Sequence, residues 1–357
     1  MKRISSTFKS AIGKRVGGTL RVAVLGLSML ASGSVLAETV LRVGTWLPPT
    51  NAQNAVVWPT WAKWVEEATE GRVKVTIENT SGHPKTLFQA VEDGVYDASF
   101  SFNGYVPGQF TLPQIVELPG LGAGAEASSV ALWRVYTSRL AKANEFEGLE
   151  LIGMFTHGPG QIHTREPISS LADLKGKKIR VGGGVQTTLG ERMEVTPVGA
   201  PAPKVYEMLQ QGVIDGVFLP VMEQKVLRLN EVTKYLTVLP DGMYMGAFSI
   251  FINPDFMDSL SEQDRAAILS VSGEKLSAMA GRAWDAGDQE GYAAAEAAGV
   301  TINRVQPGSP MAVEFEKLTA GMDQQWIDSV KDRGVDAAAA LAELREIARN
   351  YQAPVAK

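Results

Sequence analysis

Arg180 stands within Gly-Lys-Lys-Ile-Arg-Val-Gly-Gly-Gly, residues 176–184, at the end of an apolar run and just before three glycines. Ile179 and Val181 are its apolar neighbours, so in a strand the guanidinium turns to the opposite face. A guanidinium at a strand's carboxyl end suits a carboxylate held through two parallel hydrogen bonds. Gly182, Gly183 and Gly184 remove side chains where a bound molecule would approach. An internal salt bridge or a solvated surface arginine accounts for the same residue type equally well, and both readings are open on the residues alone.

Other chemistry-bearing residues are sparse. There are three histidines and no H-E-x-x-H or H-x-H spacing, so no metal site and no cofactor is expected. His83 lies in the turn Ser-Gly-His-Pro-Lys; His157 and His163 flank Gly158-Pro159-Gly160 and stand where a ligand would be touched, although a structural hydrogen-bonding role is favoured for each. The chain has no cysteine, hence no thiol nucleophile, disulfide or thiolate metal site. G-x-S-x-G and a P-loop are absent, and Gly-Gly-Gly-Val-Gln-Thr-Thr-Leu-Gly departs from the G-x-G-x-x-G spacing of a dinucleotide site. Glu117 and Glu223 are a conceivable acid–base pair, but charged residues beside loops are expected to be solvated. An enzyme is therefore the weaker class.

The first 21 residues carry six basic groups and no acidic one, followed by the apolar run 22–31 and Val35-Leu36-Ala37. This pattern predicts a cleavable signal peptide over 1–37, exported by the general route since no Arg-Arg pair occurs. The apolar run is far short of the ~20 residues needed to span a bilayer. The whole chain has 34 basic and 39 acidic residues, and removal of the six leaves 28 against 39, formally −11. Such a charge disfavours nucleic acid and anionic membranes as partners. The remaining 320 residues exceed one comfortable core and predict two domains.

The elements that must position Arg180 alternate between strand and helix. Val-Leu-Arg-Val-Gly-Thr-Trp reads as a buried strand. Val57, Trp61, Trp64, Val65 and Ala68 fall at helical spacing with Pro59 in the first turn. The tryptophans of that stripe are expected in the core. Gly71 ends the helix, and Val73, Val75 and Ile77 alternate as a strand. The segments 91–100 and 209–218 share one pattern of helix end, Gly-Val, any residue, Asp, small residue and then Phe; their glycines, Gly94 and Gly212, lie 118 residues apart. Each glycine is the residue past a helix that needs positive φ. Two similar α/β lobes facing one cleft follow, with ligands outside the carboxyl ends of the strands.

The order "DLKGKKIRV", "TPVGAPAPKVYEMLQQGVIDGVFLP", "KYLTVLPDG", with "LRVGTW…WVEEATEGRVKVTI" and "DASFSFNGYVPGQF…VELPGL" upstream, resembles the solute-binding proteins of TRAP (tripartite ATP-independent periplasmic) transporters over nearly all of 39–340. The resemblance implies an α/β, two-lobed periplasmic binding protein fold, each lobe a sheet flanked by helices, with crossing hinge strands and a long lobe-spanning helix. That helix would run from Ser261, in a capping box with Asp264, to about 298. Lobe one would be 38–157 plus about 247–280; lobe two would be 158–246 plus about 281–357, its tail from Met311 packing on the body. The resemblance also implies a monomeric periplasmic receptor that hands an organic acid to TRAP membrane permease subunits, with Arg180 as carboxylate clamp. A ligand-binding component of a sensor system would carry the same clamp.

Three departures from the family pattern are expected to set the ligand. Gly160 stands where many members have a second cleft arginine, Leu219 replaces an asparagine before Pro220, and Ala202 and Pro203 stand where an aromatic residue is frequent. They predict a roomier, more apolar pocket for an acid with one carboxylate and an aromatic or branched body. Trp46, Phe102, Asn103, Tyr105, His157, Phe218, Leu219 and Tyr244 are the expected wall around Arg180. A second carboxylate would lack a partner, and unpaired buried charge is costly. A C4 dicarboxylate or a sugar acid is the alternative, the latter served by Asn103, Gln161 and His163.

Overall fold

The computed structural model describes residues 38–80 and 82–351, so the expected signal peptide lies outside the described residues. The strands are β1 (Thr39–Thr45), β2 (Val73–Asn79), β3 (Ala98–Phe102), β4 (Glu150–Thr156), β5 (Gly160–Thr164), β6 (Lys178–Val181), β7 (Thr196–Gly199), β8 (Gly216–Pro220), β9 (Tyr235–Val238), β10 (Ala247–Ile252) and β11 (Thr301–Arg304). They form two mixed sheets, of order β2-β1-β3-β10-β4 and β11-β9-β5-β8-β6-β7. No helix among the described residues is long and apolar enough to cross a membrane.

The internal echo becomes a repeated strand pairing. Gly94 and Gly212 adopt φ of 72° and 71°. Asp97 accepts the backbone N–H of Arg42 at 2.7 Å, and Asp215 accepts that of Lys178 at 2.8 Å. In return the backbone N–H of each aspartate donates to the carbonyl of the same partner residue, Arg42 or Lys178. Each aspartate thus fastens the head of one parallel strand, β3 or β8, to its neighbour, β1 or β6. The likeness continues outward, because each sheet then takes one antiparallel strand, β10 between β3 and β4, or β5 between β8 and β9. The chain crosses from the first sheet to the second between β4 and β5 and returns between β9 and β10.

The first helix, Trp58–Ala68, buries Trp58, Trp61 and Val65 completely, with the two indoles edge to face at 5.6 Å. Trp64 is the exception to the expected core stripe: it is partly buried, and Lys275 Nζ lies 4.1 Å above its ring.

The expected continuous helix from 261 to about 298 is broken. Ser261 does cap a helix, accepting the Asp264 N–H, but that helix is Glu262–Ser270. Gly273, at φ 63°, then turns the chain into a second helix, Glu274–Ala297. Val271-Ser272-Gly273 closes the first helix, and Gly273 takes a left-handed conformation that other residues resist. The long helix still joins the two halves: it packs on the helix Ala125–Val135 and β4 of the first sheet, then on Glu223–Val226 and β11 of the second. The tail does not keep wholly to the second half. Pro310–Thr319 lies against the second sheet's Val185–Arg192 helix, whereas Ala337–Asn350 packs on Ala125–Val135. Polar ties hold this last segment there: Arg345 to the Pro119 carbonyl, Glu343 to Arg139, and Tyr351 to Glu126.

Candidate functional site

Arg180 lies on β6 with its side chain 1% exposed. Its Nε donates to the Ala200 carbonyl at 2.8 Å and its Nη2 reaches the Tyr105 hydroxyl at 3.5 Å. Nη1 has no hydrogen-bond partner among the described residues. A guanidinium stripped of water and left without a counter-charge costs several kcal/mol, so the internal salt-bridge and solvated-surface readings both fail. The arrangement suits an anion.

Tyr105 extends the site across the two halves. It follows β3, whereas Arg180 and Ala202 belong to the second sheet's side. Its hydroxyl oxygen accepts from the Ala202 N–H at 3.0 Å as well as from Arg180. Both acceptor positions being engaged, the phenolic hydrogen is left to donate. Burial holds the phenol above its ordinary pKa, so it remains a donor.

Around these two groups lies a small space of about 20 Å³, lined by Trp46, Phe102, His157, Leu219, Phe248 and Trp284 together with Leu47, Tyr105, Arg180, Gln186, Ala202, Pro220 and Glu223. That is about one water's room. A larger groove of about 350 Å³, between Pro119, Pro240, Phe315 and Arg345, is open to solvent, and its arginine is paired with Asp323. The buried unpaired charge makes the small cavity the candidate site.

Of the expected wall, Trp46, Phe102, Tyr105, His157 and Leu219 line the cavity with Arg180. Phe218, Tyr244 and Asn103 are buried outside its lining. Phe218 alternates with Leu219 on β8 and so faces the other side of the sheet. Asn103 accepts from Ser249 through Oδ1. Tyr244 occupies the place opened by Gly160: a Cβ there would lie 2.2 Å from its ring. Of the residues expected to serve a sugar acid, Asn103 keeps its Nδ2 without a partner among the described residues, whereas Gln161 and His163 are engaged within the protein. Gln161 accepts the Leu239 N–H, and His163 bonds Leu219 and Gln224 through its two nitrogens.

His157 lines the cavity but works on the hinge. Its Nδ1 bonds the Gly158 carbonyl and its Nε2 accepts the Gly246 N–H at 3.0 Å, tying one crossing segment to the other. Burial lowers its pKa to about 4, so the ring is neutral. His83 caps the turn Pro84–Thr86 by accepting the Lys85 N–H.

The glycines after Arg180 serve the opposite half of the molecule. A Cβ on Gly183 would meet the Gly104 carbonyl oxygen at 2.0 Å, and one on Gly184 would meet Glu117 Oε2 at 2.4 Å. Only Gly182 borders the Arg180 head. The expectation that all three make room for a ligand is corrected: two of them let the halves touch. Glu117 makes that contact polar, accepting the Val185 N–H at 2.9 Å and the Ala247 N–H at 3.2 Å.

Glu117 and Glu223, expected to be solvated, are both buried, at 0% and 2% exposure. Burial raises Glu117 to about 7 against the pull of its two N–H donors. Glu223 rises to about 8, first through burial and then through Asp288, with Arg180 opposing. Glu223, Phe248 and Trp284 are cavity residues that sequence reasoning missed. Glu223 stands three residues past Pro220, close to the Leu219 signal. Trp284 comes from the long helix and had no local mark.

A small cavity between two α/β sheets with an unpaired cation in its wall suits a binding protein for a small anion. A family model described as bacterial extracellular solute-binding protein, family 7 (DctP), matches residues 43–339, and the chain belongs to this family, the solute-binding proteins of TRAP transporters. It is 30% identical over 318 residues to the "outer membrane transporter protein TsaT" of Comamonas testosteroni, covering 88% of this chain and 93% of that one. A TRAP periplasmic solute-binding protein from Bordetella bronchiseptica, solved with bound (R)- and (S)-mandelate, is 34% identical with a TM-score of 0.84, covering 87% of this chain and 99% of that one. A TRAP solute-binding protein from Rhodoferax ferrireducens, solved with copurified benzoate, is 28% identical with a TM-score of 0.81, covering 87% and 98%.

Proposed function

We propose that this protein captures an aromatic monocarboxylate through Arg180 and Tyr105 and delivers it to the TRAP membrane permease. The observation that carries the reading is Arg180, buried without an anionic partner in a cavity walled by Trp46, Phe102, Phe248 and Trp284. One carboxylate satisfies the Arg180 cation, and a ring buries against the aromatic wall at roughly 25 cal/mol per Å² of apolar surface. Mandelate and benzoate, found in the two similar structures, are acids of this kind. The protein performs no catalysis in this reading; it acts as a monomer, exported through the signal peptide of residues 1–37. Its lobes, 38–157 with β10 and 158–246, separate to admit the acid and close on it.

The test is a thermal-shift panel on residues 38–357 with aromatic monocarboxylates, C4 dicarboxylates, 2-oxo acids and sugar acids. A ligand that binds only the folded state raises the melting temperature. Shifts confined to aromatic monocarboxylates, and abolished by Arg180→Ala, are expected. Shifts with dicarboxylates or sugar acids, or an Arg180→Ala protein that responds like the wild type, would overturn the assignment.

A further inference from the structure

Three buried polar atoms along the one cavity lack a hydrogen-bond partner: Arg180 Nη1, Glu223 Oε2 and Trp284 Nε1. The carboxylate of the proposed ligand accounts for the first alone. The other two are of opposite kinds, since an indole N–H only donates and a carboxyl oxygen can accept. Buried polar groups left unpaired are expensive, and native structures keep few of them without a reason.

Glu223 and Trp284 are also connected through the long helix. Trp284 and Asp288 are four residues apart on it and therefore share a face. Asp288 Oδ1 accepts the Met222 N–H at 2.8 Å, which docks that face against the start of the Glu223–Val226 helix. Met222 directly precedes Glu223. Both side chains are 2% exposed, so bulk water serves neither.

Resting on the reading of an aromatic acid at Arg180, we infer that Glu223 and Trp284 form a hydroxyl-recognition subsite, so that the preferred ligand is a hydroxylated aromatic monocarboxylate. A hydroxyl accepts and donates at once, so its chemistry matches both the indole N–H and the carboxyl oxygen. An unsubstituted ring would satisfy neither. An ammonium group would answer Glu223 but would present only donors to Trp284. A site built to bond a hydroxyl rejects the analogue without it strongly, because its own polar groups are then left unpaired. Burial and Asp288 hold the Glu223 carboxyl largely protonated at neutral pH, which spares the ligand carboxylate a second negative charge nearby.

The test is isothermal titration of residues 38–357 with matched acids: phenylacetate against mandelate and phenylglycine, and benzoate against 3-hydroxybenzoate and 3-methoxybenzoate. In at least one series the wild type is expected to bind the hydroxylated acid at least tenfold more tightly than the parent and the other analogue. Glu223→Leu, of similar volume, should bring that ratio close to one. The wild-type ratios stand alone if the variant does not fold. Hydroxylated and parent acids bound within threefold of each other in both series, tighter binding of phenylglycine, or a Glu223→Leu protein that keeps the preference would each overturn the subsite. Measurable binding of the parent acids with no hydroxyl preference would remove the subsite and leave the aromatic-acid reading standing. No binding of any of these acids would remove both.

Discussion

In the proposed reading Arg180 and Tyr105 are two halves of one clamp, and each is held in place from the second sheet's side. The arginine is fixed through Nε by the Ala200 carbonyl, and the tyrosine oxygen is fixed by the Ala202 N–H. Tyr105→Phe should therefore weaken binding of an aromatic carboxylate about 10- to 100-fold, the range of a hydrogen bond to a charged group. Titration calorimetry checks this, and an unchanged affinity would show that the phenol does not face the ligand. The Phe variant keeps the ring that packs against Trp46 and Phe102, so its effect reports the hydroxyl rather than the wall. Gly160 has a complementary meaning. The space left by a missing side chain there is filled by Tyr244, so the absent second arginine gives a packed aromatic surface and not a roomier pocket.

At the scale of elements, the paired aspartates join sequence to fold. Asp97 and Asp215 each cap the head of a central strand by accepting a backbone N–H from the neighbouring strand. Asp97 also holds the Arg42 guanidinium at 3.1 Å. Alanine at either position leaves a strand amide without its side-chain partner, a cost of about 1–3 kcal/mol for the part-buried Arg42 amide and less for the exposed Lys178 amide. Both variants should lower the urea midpoint, Asp97→Ala by at least as much as Asp215→Ala. Equal stability of either variant and the wild type would show that water replaces the carboxylate. This repeat was legible in the sequence because its signals are local: a glycine forced to positive φ and an aspartate a fixed step later. Arg180 was legible for the same reason, standing at the end of a short strand. The break at Gly273 was also marked by a residue type, but the expected single long helix overrode it. Glu223 and Trp284 were not legible as site residues, nor Glu117 as a buried group, because their burial is set by elements distant in sequence that pack over them. A lone Glu beside a loop reads the same whether a second sheet covers it or water does.

For the whole molecule, closure gathers an unusual set of buried titratable groups, and their balance predicts how stability follows pH. Burial raises Glu117 and Asp288 to about 7 and Glu223 to about 8. It lowers His157 and His163 to about 4. A carboxyl raised by folding binds more protons in the folded state, so stability falls as pH climbs from its ordinary value to its folded one. A histidine lowered by folding has the opposite sign: the unfolded chain binds the extra proton, and stability rises with pH from about 4 to the ordinary value near 6.5. Below about 6.5 the two trends oppose each other, and the depressed carboxyls of Asp173, Glu231 and Glu274 add their own loss at still lower pH. Above about 6.5 the histidines are neutral in both states and only the raised carboxyls act. The ligand-free melting temperature should therefore fall by several degrees between about pH 6.5 and 8.5 and then level. Scanning calorimetry across that range checks it, with Glu223→Gln expected to flatten the upper part of the slope. A flat or rising profile in the wild type would mean that the closed cleft holds these carboxyls ionised, with Glu223 then the counter-charge of Arg180 and the anion site already answered from within.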